Sequence, residues 1–194
     1  MFWLAVILIV GVGVTLLVMQ QNGMLSGSKK RPELPSLKRN VFNLQIGDIV
    51  QYLGRDWVVE GSLTYDVEGY TWMEYMLQDG DDIRWLSVEE DDMVEVAFLE
   101  ANNQLDVSQN PPQQLNFGGE TYRRVDSGVA KMTRQGTIVR RDAQRCQYFD
   151  YETPNDKVLS IEIWNGEIEV TAGERINPRS LTLLPGDGRR VYGD

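Results

Sequence analysis

The sequence predicts a mainly β protein, two tandem small β-barrel or roll units packed together and preceded by one transmembrane α-helix. Three observations carry that expectation. An uncharged apolar run extends from Phe2 to Met19. Beyond residue 40 the chain breaks into short runs rich in Val, Ile, Tyr and Trp, separated by Gly, Asp and Asn at hairpin spacing. Finally, that second pattern is repeated once along the chain.

The first element is placed at residues 2–20, and its apolar run Phe2 to Met19 has the length of a membrane span. Eighteen residues at about 1.5 Å each give a rod of roughly 27 Å, against a hydrocarbon core of roughly 30 Å. A cleaved secretory signal is the competing reading, but no Lys or Arg precedes the run and no convincing small-x-small cleavage site follows within Gln20 to Leu25. The next residues, 21–40, form a polar linker carrying Gly23, Gly27, Pro32 and Pro35. Lys29, Lys30, Arg31, Lys38 and Arg39 supply a basic collar suited to lipid headgroups. Basic residues this close to a span stay on the cytoplasmic side, so the expected topology is single-pass, N-terminus outside and C-terminal body cytoplasmic.

The first β unit is expected at 41–100, with hairpins at Ile49–Tyr52 with Trp57–Glu60 and at Tyr70–Leu77 with Ile83–Val88, then a strand from Met93 to Leu99. A connector rich in Asn, Gln and Pro occupies 101–112, and the second unit 113–194. Val50, Tyr52, Gly54 and Trp57 recur as Leu115, Phe117, Gly119 and Tyr122. Tyr75 and Leu86-Ser87-Val88-Glu89 recur as Tyr148 and Leu159-Ser160-Ile161-Glu162, and Val94-Glu95-Val96 as Ile168-Glu169-Val170.

Composition removes several chemistries. The chain has no histidine and one cysteine, Cys146. Histidine-based triads, His-containing zinc sites, thiolate metal sites and internal disulfides are therefore excluded, and no catalytic residue, cofactor or metal site is predicted. Net charge is −10 at pH 7 and uneven: Val41 to Asn110 holds Arg55 and Arg84 against sixteen carboxylates. A later basic stretch, Arg123 to Arg145, either meets an anionic partner or docks on the acidic half of the same chain. The second reading is preferred, and nucleic acid is not an expected partner, because a net negative chain is repelled by it at long range.

Strand alternation puts Trp72, Glu74 and Met76 on one face and Met73, Tyr75 and Leu77 on the other. A candidate ligand pocket follows, in which Glu74 holds a cation or amine between Trp72, Tyr75 and Trp85 with Arg84 near by. The alternative pairs Glu74 with Arg84 across the hairpin while the aromatic residues fill the core, the commoner arrangement in sheets.

Several of these elements carry a family resemblance: Gly47-Asp48-Ile49-Val50, Gly54, Trp57-Val58-Val59-Glu60-Gly61, Trp72-Met73-Glu74-Tyr75-Met76-Leu77 and Trp85-Leu86-Ser87, then Gly118-Gly119 with Tyr122 and Gly128 with Ala130. They resemble a bacterial domain of unknown function, numbered four-one-seven-eight, over roughly Leu44 to Leu184. The resemblance implies a domain with no assigned reaction, met near membrane-stress, membrane-remodelling and polyamine-related proteins, and it transfers no catalytic residue. The expected function is a membrane-anchored cytoplasmic module that acts as a binding, scaffold or assembly factor, with the bilayer and another membrane protein as partners. The alternative is a ligand sensor or enzyme that takes a cation or polyamine-like amine through a carboxylate in an aromatic pocket.

Overall fold

A computed structural model describes residues 38–136, 138 and 144–192. The expected span at 2–20 and the linker up to residue 37, with Lys29, Lys30 and Arg31, lie outside the described residues. Among the described residues no helix is long and apolar enough to cross a membrane. Eleven strands among the described residues form one antiparallel sheet: β1 Ile49–Tyr52, β2 Arg55–Val67, β3 Tyr70–Asp79, β4 Asp82–Glu90, β5 Val94–Ala101, β6 Gln114–Phe117, β7 Glu120–Gly136, β8 Arg145–Glu152, β9 Lys157–Trp164, β10 Glu167–Ile176 and β11 Thr182–Leu184. One 3₁₀ turn, Pro178–Ser180, precedes β11.

Hairpin chemistry explains the local order. Leu53 and Gly54 join β1 to β2, and Gly118 and Gly119 join β6 to β7, each pair with positive φ at both positions. That is the backbone of a type I′ turn, whose twist matches the flanking strands.

The two expected barrels are one barrel. The sheet runs β11-β1-β2-β3-β4-β5-β10-β9-β8-β7-β6, and β2 also pairs with β7, closing the eight strands β2, β3, β4, β5, β10, β9, β8 and β7 into a ring. The boundary expected at 101–112 is therefore a connection within one sheet. One seam joins β5 to β10, with Leu99 opposite Gly173; the other joins β2 to β7, with Asp66 opposite Lys131. Closure removes the open edge that each four-stranded half would expose alone. At the second seam β2 of the acidic half pairs with β7, which carries part of the basic stretch.

Two β-bulges let one long strand serve two cores. Register shifts in β2 between Val59 and Gly61, and in β7 between Arg124 and Asp126. An extra residue turns the following side chains to the other face. Trp57 and Val59 accordingly pack outside the barrel with Val50, Tyr52, Tyr75 and Leu77, whereas Leu63 and Tyr65 point inside. In β7, Tyr122 joins an outer cluster with Leu115, Tyr151 and Leu159, while Ala130 and Met132 enter the interior. Each half thus keeps an outer core of its own, which is the part of the two-unit expectation that the chain realises.

Candidate functional site in the barrel interior

Inward-facing positions of a small barrel are ordinarily filled by apolar side chains. Here the filling changes character along the axis. Leu63, Trp85, Met132, Cys146 and Trp164 form an apolar part. The remainder is a cavity of about 150 Å³. Ligand pockets for drug-sized molecules run to roughly 300–1,000 Å³, so the space suits a small ligand.

Glu74, Glu89, Glu95, Asp126, Asp150, Glu152 and Glu162 line this cavity together with one guanidinium, that of Arg175. Alternation explains their convergence. Glu74 on β3 lies opposite Ser87 on β4, and Asp150 on β8 opposite Ser160 on β9, so each pair shares the inner face. Glu74 is 5% exposed and accepts a hydrogen bond from the Tyr65 hydroxyl at 3.1 Å. Glu162 is 4% exposed and accepts one from the Trp164 indole N–H at 3.2 Å. Ser160 Oγ donates to Asp150 Oδ1 at 2.6 Å, and the Tyr148 hydroxyl donates to Asp126 Oδ2 at 3.1 Å. Arg175 binds Glu95 at 2.9 Å and also Glu152.

The walls are aromatic. Trp72 stacks on Tyr65 with rings 4.7 Å apart and nearly parallel, and meets Tyr148 edge to face at 5.1 Å. Tyr70 closes the row at the exposed end, its hydroxyl 3.3 Å from Glu89.

Enclosure disturbs the titration of these groups. Loss of solvent pushes the Asp150 carboxyl up to about 7; the Ser160 hydrogen bond opposes the rise, while Glu162, Asp126 and Glu89 add to it. Asp150 keeps part of its surface towards the cavity while protein surrounds its other sides. Desolvation, then the charge of Glu95, raises Glu89. Burial likewise lifts Tyr148, and Tyr70 to about 12.

Of the five predicted pocket residues, Trp72 and Glu74 line the cavity. Trp85 faces the interior in its apolar part. Tyr75 and Arg84 do not contribute: Tyr75 is buried in the outer core, and Arg84 pairs with Glu100 at 3.0 Å. Register is the reason, since Glu74 opposes Ser87 whereas Arg84 opposes Leu77, which places the two charges on opposite faces. The expected alternative of a Glu74–Arg84 pair is excluded by the same register.

Arg39, expected at lipid headgroups, instead binds the buried carboxylate of Asp48 and donates to Gln45 at 3.0 Å. Asp48 also accepts from the backbone N–H groups of Gln45 and Gly186, so it acts as an internal anchor for which Arg39 is the countercharge. Asp126, Asp150 and Tyr148 were not legible as site residues. Register makes Tyr148 and Asp150 the equivalents of Trp72 and Glu74, because Leu86 and Leu159 are equivalent and oppose Tyr75 and Tyr151, whereas Asp126 falls at the place of Gly61 and carries no such signal.

Among the described residues no three Cys, Asp or Glu groups come together as a metal site. The seven carboxylates of the cavity come from six strands, β3, β4, β5, β7, β8 and β9.

The family profile described as Domain of unknown function (DUF4178) matches residues 45–178. The chain is similar to Uncharacterized protein Mb2628 of Mycobacterium bovis, 31% identical over 147 residues, covering 72% of this chain and 70% of that protein. It is equally similar, over the same extents, to Uncharacterized protein MT2673 and Uncharacterized protein Rv2597 of two Mycobacterium tuberculosis strains. No solved structure matches.

Proposed function

The chain belongs to the DUF4178 family, and from its cavity we propose that the barrel is a binding module for a small organic ammonium ion, a ligand sensor rather than a catalyst. The observation that carries this reading is the lining, seven carboxylates and one guanidinium among the described residues, set beside Trp72, Tyr70 and Tyr148. An ammonium group beside a carboxylate gains about 4 kcal/mol at 4 Å in a medium of effective dielectric about 20. An aromatic face adds about 0.5–2 kcal/mol. A bare divalent ion would need oxygen ligands converging at about 2.0–2.6 Å, so the spread of charge favours an organic cation.

The apolar run Phe2–Met19 and its basic flank support a tether, which would hold the module at the cytoplasmic face of a membrane. A scaffold or assembly role towards another membrane protein rests on that run alone. Purification of the full chain from detergent-solubilised membranes tests it: a stoichiometric protein partner supports the scaffold, and its absence counts against it.

The ligand reading is tested by calorimetric titration of the full chain with 1-aminobutane at pH 8. Saturable binding to the wild-type chain is expected, weakened at least tenfold in the double variant Glu74→Gln/Asp150→Asn. No binding of the wild-type chain would overturn the reading.

A further inference from the structure

The cavity is itself duplicated. The two halves are related along the chain by register: Leu86-Ser87-Val88-Glu89 of β4 corresponds to Leu159-Ser160-Ile161-Glu162 of β9. Their partners then correspond as well, Tyr75 with Tyr151 and Glu74 with Asp150. One residue pair earlier, Trp72 corresponds to Tyr148. The bulges agree with this symmetry, since Val59/Gly61 and Arg124/Asp126 occupy equivalent places after equivalent hairpins. The β5–β10 seam agrees too: Val96 corresponds to Val170, so Leu99 and Gly173, paired opposite each other, are equivalent residues.

Each half therefore brings the same unit to the interior, an aromatic residue and, two positions on, a carboxylate opposite a serine. The units are Trp72-x-Glu74 with Ser87 and Tyr148-x-Asp150 with Ser160. The equivalent aromatic rings touch each other at 5.1 Å. In the closed ring β3 and β8 are separated by β2 and β7, so the two carboxylates come from different walls.

We propose, resting on the cavity reading above, that the site is two cation half-sites that take one linear dication, a short α,ω-diamine whose ammonium ends meet Glu74 and Asp150 and whose methylene chain lies against Trp72 and Tyr148. A ligand with one ammonium group meets one half-site at a time. Linking two such groups makes the second contact intramolecular, which raises affinity without any new type of contact. The apolar linker finds aromatic surface, and the two charges find carboxylates carried by different walls of the ring. The raised carboxyl of Asp150 is in keeping with a site whose negative charge is completed by a ligand.

The test is a calorimetric comparison of 1,4-diaminobutane with 1-aminobutane on the full chain at pH 8. Expected are one diamine per chain and an affinity at least tenfold above that of the monoamine. Glu74→Gln and Asp150→Asn should each bring the diamine down to the monoamine's affinity, with the near-ultraviolet circular dichroism of the wild type reporting that each variant is folded. Equal affinities of the two amines for the wild-type chain would overturn the half-site proposal while leaving the cavity reading in place. Binding of neither amine would overturn both. The wild-type comparison decides the matter even where a variant does not fold.

Discussion

Trp72 and Tyr148, which hold equivalent positions in the two halves of the chain, meet inside the barrel with ring centroids 5.1 Å apart and planes inclined by 65°. Such an edge-to-face contact exceeds simple area burial by about 0.5–1.5 kcal/mol. Because Trp72 also stacks on Tyr65, one side chain links three strands. Trp72→Ala is expected to destabilise the protein by about 2–4 kcal/mol in urea unfolding. Trp72→Phe is expected to recover most of that loss, which would not happen if the indole were only a surface feature.

Asp150 sets a pH dependence. Its folded pKa of about 7 stands above its ordinary value of 3.8, so between these limits the folded state holds the extra proton. Stability from this group is therefore full at low pH and falls as pH rises from about 4 through 7. Ser160, Glu162, Asp126 and Glu89 are the polar and charged groups that act on it. Asp150→Asn should flatten the change in melting temperature between pH 5 and 8. An ammonium ligand selects the ionised form, so its affinity for the wild type should rise over the same interval, with proton release measurable by calorimetry in buffers of different ionisation enthalpy.

The β5–β10 seam can be broken at one atom. A Cβ on Gly173 would lie 2.0 Å from the carbonyl oxygen of Phe98, and backbone cannot move aside as a flexible side chain can. Gly173→Ala should cost about 1–3 kcal/mol, read by denaturant unfolding. Both halves should lose stability together in one transition, because they share one ring of strands.

Glu60, the bulged residue of β2, is fully buried and held by the C-terminal segment. Arg190 pairs with it at 2.9 Å, and the backbone N–H groups of Val191 and Tyr192 donate to its other oxygen at 2.8 and 2.9 Å. Arg190→Ala leaves those two donors in place and should cost about 1–3 kcal/mol. Deleting residues 189–194 removes all three contacts and should cost more, measured by thermal unfolding.

The strands, their hairpins and the repeated plan were legible in the sequence because turn chemistry and period-two alternation act locally. Closure of the barrel was not, since alternation says which side chains share a face and leaves open which strand completes the ring. The bulges hid the rest: a single extra residue at Glu60 or Val125 moves every later side chain to the other face. Trp72 and Glu74 both line the cavity because they are two apart on one strand. Arg84 was misplaced because its face depends on the β3–β4 register, which pairs it with Leu77. Tyr148 and Asp150 were missed because Tyr75 was aligned with Tyr148, three residues away from its register equivalent Tyr151.

The most direct measurement is nuclear magnetic resonance of the full chain during titration with 1-aminobutane, observing the Trp72 indole and the Asp150 carboxyl carbon. Saturable shifts at Trp72 and Asp150, with the exposed hairpin-tip carboxylates Asp81 and Asp82 unmoved, are the predicted result. Shifts confined to Asp81 and Asp82, with Trp72 and Asp150 unchanged, would show that the amine meets only the acidic surface and would contradict a ligand site inside the barrel.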